Sequence, residues 1–113
     1  MSQNPGIGSS ATISGVVSTK TPLLPLTPTF ATVGATSAEA VALNANRKGL
    51  VIVNLSYNTI SIGFGANPAV LNSGITLTQL GSVYQMSEYD FTTLSINCIA
   101  SSAGSVISIQ EFQ

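Results

Sequence analysis

From Thr36 onward the apolar positions of this chain recur at every second residue. In Thr59 to Phe64 (TISIGF), Ile60, Ile62 and Phe64 fall on one face and Thr59, Ser61 and Gly63 on the other, the period of a half-buried strand. Leu94 to Ala100 repeats the pattern, with Leu94, Ile96, Cys98 and Ala100 pointing one way. Leu50 to Val53 (LVIV) is apolar throughout, which predicts a strand covered on both sides. Ser105 to Phe112 is rich in β-branched residues and predicts another. Shorter strands are expected at Ala38 to Leu43, Ile75 to Leu77, Ser82 to Gln85 and Thr12 to Ser18. Ser56-Tyr57-Asn58 and Ser101 to Gly104 are short enough to close hairpins, and 65–74, with its Asn67-Pro68 turn signal, is the longest internal loop. No segment has helical periodicity with caps. The expected fold is all-β, a β-sandwich of jelly-roll or Greek-key type over 36–113.

Residues 1–35 read differently. Gly, Ser, Thr and Pro dominate, and Pro22, Pro25 and Pro28 recur every third residue in TPLLPLTPTF. Each proline fixes its own φ and drives its predecessor out of the helical region, so an extended N-terminal arm is predicted. Leu23, Leu24, Leu26 and Phe30 make the Pro22 to Phe30 stretch an apolar strap, which a solvated linker would not be. Either the arm is a disordered tail or it orders against a neighbouring subunit.

Charge changes the picture most. Three basic and four acidic residues are all that 113 positions carry, 6% in place of the usual quarter, and histidine and tryptophan are absent. Lys20, Arg47 and Lys48 cannot line a phosphate backbone, so no nucleic-acid partner is expected, nor an anionic membrane. Without histidine the commonest general acid-base group is missing, and no enzyme activity, cofactor or metal site is expected. Cys98 is alone, which rules out an intrachain disulfide, and the opening MSQNPGIGSS has no secretory pattern, so synthesis in a cytoplasm is expected. With 44% apolar residues the chain has material for a core, and a surface of hydroxyl, amide and backbone that offers little repulsion to a partner.

Few residues invite chemistry. Glu88 and Asp90 would share a strand face as a glycosidase pair does, or else would solvate a turn. Cys98 lies on an apolar strand face and reads as a buried structural thiol. Gly63-Phe64-Gly65 begins a dinucleotide-type pattern, but Pro68 stands at its third glycine and no helix follows. Asn54-Leu55-Ser56 matches the glycosylation sequon, without a secretion route to use it. Arg47-Lys48, in the turn NANRKG, is either a solvated pair or a contact to carboxylates on a partner.

Taken together, ANRKGLVIVN, the link into TISIGFG and the final SINCIASSAGSVISIQEF resemble small capsid decoration (cement or stapling) proteins of tailed bacteriophages, over roughly Ala45 to Phe112. The resemblance implies a β-sandwich on the outer capsid surface of the virion, bound at junctions between major capsid protein subunits and stabilising the shell, with no chemistry performed. It implies association with the major capsid protein and with copies of itself, as a homodimer first and a homotrimer second. The contact residues expected are Pro22, Leu23, Leu24, Pro25, Leu26, Pro28 and Phe30 in the strap, with Arg47 and Lys48. The alternative expectation is a head-fibre or adhesion-type module that binds a host surface glycan through Tyr57, Tyr84 and Tyr89.

Overall fold

The computed structural model describes residues 22–113. Among them there is no helix, and eight strands run in the order β1 (Thr29–Val33), β2 (Ala38–Val41), β3 (Gly49–Asn54), β4 (Ile60–Phe64), β5 (Ile75–Leu77), β6 (Val83–Met86), β7 (Ile96–Ala100) and β8 (Ser105–Phe112). They form two antiparallel sheets of four strands. The first has the order β1-β8-β3-β6 and the second β2-β7-β4-β5.

Alternation puts the inner residues of both sheets into one core. Val33, Leu50, Ile52, Met86, Ile107 and Ile109 come from the first sheet, and Val41, Ile60, Ile62, Leu77, Ile96, Cys98 and Ala100 from the second. Cys98 is buried there, as its place on the apolar face of β7 predicts. The β8 strand is central to the first sheet, pairing with β1 through Thr29↔Ile109 to Val33↔Ser105 and with β3 through Gly49↔Phe112 to Asn54↔Ile107.

The two expected hairpins are not hairpins. The link 55–59 leaves the first sheet at β3 and enters the second at β4, and 101–104 crosses back from β7 to β8. Among the described strands only β4 and β5, joined by 65–74, are consecutive and paired. A short link with turn residues closes a hairpin or carries the chain from one sheet to the other equally well. Side chains decide here. The wholly buried Asn54 accepts from Ser56 N (2.9 Å) and Ser56 Oγ (2.8 Å) and donates through Nδ2 to Asn58 O (2.8 Å) and Leu77 O (3.1 Å), which folds 55–58 over the edge. That burial also removes the sequon Asn from reach. In 101–104, Gly104 takes the left-handed φ of 80° that ends the crossing.

The boundary near residue 35 also moves. Thr29–Val33 is an edge strand of the first sheet, so the last part of the expected arm belongs to the body. The strap continues along the same edge. Leu24 N donates to Gln113 O (2.7 Å), Gln113 N to Leu24 O (2.9 Å) and Leu26 N to Glu111 O (2.9 Å), around a Pro25↔Phe112 bridge. Proline is accepted there because its missing N–H would point away from β8. The strand expected at Thr12 to Ser18 lies outside the described residues.

The two outer faces differ. On the second sheet, loop 65–74 lies over β4. Asn97 Nδ2 donates to Gly65 O (3.0 Å) and Asn67 O (2.7 Å), Asn72 N to Ser61 Oγ (2.9 Å) and Ala69 N to Ser37 Oγ (2.8 Å). Ser61 and Ala69 are consequently buried. The approach is so close that a Cβ on Gly63 would stand 2.8 Å from the backbone of Pro68 and Ala69. On the first sheet, Leu50 and Ile52 are buried while Val51 and Val53 are half-exposed, so LVIV is covered on one side only.

Candidate functional site

Arg47 overturns its expected role. Although it follows a turn at Asn44, its side chain is fully buried. Nε donates to Glu111 Oε2 (2.7 Å), Nη1 to Thr92 O (3.0 Å) and Leu94 O (2.7 Å), and Nη2 to Ala42 O (2.7 Å). The planar fork thus ties the loop 42–48, the loop 87–95 and the end of β8 together. The carboxylate it was expected to meet on a partner stands in its own chain, so Arg47 is no partner contact. Glu111 shares the inward parity of Ile107 and Ile109 on β8, and an acid on the apolar face of a strand requires a buried cation. That parity is the signal in the sequence that leads to the pair.

The remaining expected contacts divide. Lys48 is exposed, and its N–H donates to Phe112 O (2.8 Å), which sets it at the end of β8, across that strand from Leu24. Pro22, Leu24, Pro25 and Pro28 are exposed, whereas Leu23 and Leu26 are half-buried. Phe30 stands apart on the outer face of the first sheet, 72% exposed.

At the strap end three exposed apolar side chains gather that the strand pattern does not single out: Leu43, Phe91 and Leu94. Their loops are joined by Asn44 N to Thr93 O (3.0 Å) and by the Arg47 bonds. They lie at the same end of the sandwich as Leu24 and Lys48, with Glu88 and Asp90 in the neighbouring loop. Asp90 stabilises the nearby turn: its Oδ1 accepts from Ser87 N (3.0 Å) and Ser87 Oγ (2.6 Å), bonds that hold its carboxyl below the ordinary range. Glu88 and Asp90 therefore sit in a turn, not along a strand.

The three tyrosines do not converge. Tyr57 lies in the link after Asn54, whereas Tyr89 follows Met86, which pairs with Leu50 at the opposite end of β3. Tyr84 packs against the core, its ring 6.0 Å from that of Phe64, and burial, then Asp90, raise its pKa against the pull of Arg47. Among the described residues no pocket opens.

Among the described residues, none that is charged lies on the outer face of the first sheet. Phe30 is opposite Ser108, Ser108 opposite Val53 and Val53 opposite Val83, one row across all four strands. Val106 and Thr32 lie in the adjoining row, and Val51, Gln110 and Gln85 in the next. Phe112 covers Gly49, whose Cβ position lies 3.5 Å from its ring.

No family model, no curated protein and no solved structure matches this chain.

Proposed function

We propose that this chain is a structural virion protein, a capsid decoration protein that binds the outside of a phage shell between major capsid protein subunits and stabilises it. The reading rests on contact as the function. One observation carries it: the strap end exposes Leu24, Leu43, Phe91 and Leu94, apolar groups flanked by Lys48, Glu88 and Asp90 and suited to covering another protein. The scarcity of charge and the likeness of ANRKGLVIVN and SINCIASSAGSVISIQEF to decoration proteins point the same way.

For the fold we propose a jelly-roll sandwich. The orders β1-β8-β3-β6 and β2-β7-β4-β5 are those of two interleaved Greek keys, and the shared core supports two sheets packed face to face. Jelly rolls serve viral shells and lectins alike, so the fold alone does not choose between them. Tyr57 and Tyr89 lie at opposite ends of β3 and cannot stack on one glycan together, which favours the decoration reading.

The test is copy number in purified particles of the phage whose genome encodes the chain. Hundreds of copies per head are expected, and L43S/L94S should reduce that occupancy at least tenfold without loss of fold. A handful of copies, or none, overturns the proposal.

A further inference from the structure

We infer that the outer face of the β1-β8-β3-β6 sheet is a two-fold interface with a second copy of this chain. The inference does not depend on what the strap end binds.

Every described charge lies elsewhere. Arg47 and Glu111 are spent on each other, Lys48, Glu88 and Asp90 stand in the loops at the strap end, and Glu39 is on β2 of the other sheet. What the face offers is Phe30, Val51, Val53, Val83 and Val106, interspersed with Ser108, Thr32 and two glutamines. A partner with ionic groups would have to desolvate them against it without compensation. The surface that matches it is one equally free of charge, and this chain supplies such a surface. The second sheet needs no cover of this kind, since loop 65–74 already closes it over β4.

The row has the asymmetry a two-fold needs. An axis parallel to the strands reverses it, setting each Phe30 against the partner's Val83 and each Val53 against the partner's Ser108. The large edge group then meets a small one, and the hydroxyl lies near the centre. Four strands at about 4.8 Å spacing, with a mean length of about 19 Å, give a face of about 370 Å² in projection before side-chain relief is counted. Side-chain relief and the strap alongside β8 add to it, for an interface smaller than the roughly 800 Å² per partner of a standard one.

Sedimentation of the full chain over a concentration series tests this. A dimer is expected, with V83K and F30S each raising its dissociation constant at least tenfold while K48A leaves it unchanged. Val83 and Phe30 are already exposed in the single chain, so at concentrations well below the parent's dissociation constant thermal unfolding of both variants should match the parent. A monomer at 100 μM overturns the inference, as does a trimer, which cannot bury one self-complementary face in closed pairs. A dimer indifferent to V83K and F30S overturns it too. A monomer destabilised by V83K overturns it by placing residues 1–21 of the same chain on the face. Attachment to heads is read separately through L43S/L94S, so either idea can fail alone.

Discussion

Removing the Arg47 side chain leaves three carbonyls and a carboxylate without their donor. Arg47→Met is therefore expected to lower the unfolding free energy by about 3–5 kcal/mol, measured by urea denaturation. Arg47→Lys should recover only part of this, because an ammonium cannot span Glu111, Ala42 O and Leu94 O at once. Pairing Arg47→Met with Glu111→Leu should recover more than either change alone, since no orphaned charge then remains. Cys98 tests burial through pH. Desolvation pushes its thiol from the ordinary 9.0 up to about 11. Below pH 9 both folded and unfolded thiols are protonated and the full stability is present. As pH rises from 9 toward 11 the unfolded thiol ionises first, and about 2–3 kcal/mol is lost. Cys98→Ala should flatten that alkaline slope, apart from the share of Tyr84, whose raised pKa acts in the same direction. The burial of Cys98 is legible from alternation alone. That of Arg47 is not, because its turn gives no hint of Glu111 until the parity of β8 is followed, 64 residues on.

At the scale of elements, strand positions are legible and their partners are not. Side-chain period is a local property, so Ile75–Leu77 and Ser105–Phe112 emerge from sequence with their observed bounds. Whether 55–59 turns back or crosses depends on what waits at its far side, which adjacent residues do not encode. The roof over β4 is similarly hidden. Ser61 reads as an outward hydroxyl, yet Asn72 N and Thr76 Oγ1 enclose it (2.9 Å each). Gly63→Ala is expected to cost about 1–3 kcal/mol by forcing the Pro68-Ala69 backbone away. Limited proteolysis within 65–74 should accelerate with it. Unchanged stability and cleavage would show that the roof yields freely.

At the scale of the molecule the two outer faces have different fates: among the described residues, one is closed by loop 65–74 and the other is left bare. The end surface lies on a third side, around the strap. Of the contacts expected from sequence, Pro22, Leu24, Pro25, Pro28, Phe30 and Lys48 are exposed, Leu23 and Leu26 half-buried, and Arg47 buried. The low charge was legible at once, but its distribution was not, because a face is a property of β1, β8, β3 and β6 together. Six of the seven links between the described strands cross between sheets, so most pairings join distant residues. Refolding in milliseconds to seconds is expected by stopped-flow fluorescence of the tyrosines. A microsecond phase carrying the full amplitude would contradict it.

The central place of β8 also bears on synthesis. The first sheet needs residues 105–112 between β1 and β3, and they are the last of its strands to leave the ribosome. Until then β1 and β3 have no common neighbour, and a nascent chain holds their apolar faces open to chaperones or to aggregation. A chain stopped at Ser102 is expected to show no cooperative thermal transition. The delay also orders events: the outer face of this sheet comes into being only once β8 has been made, so a chain that stops short of β8 has no such face to present.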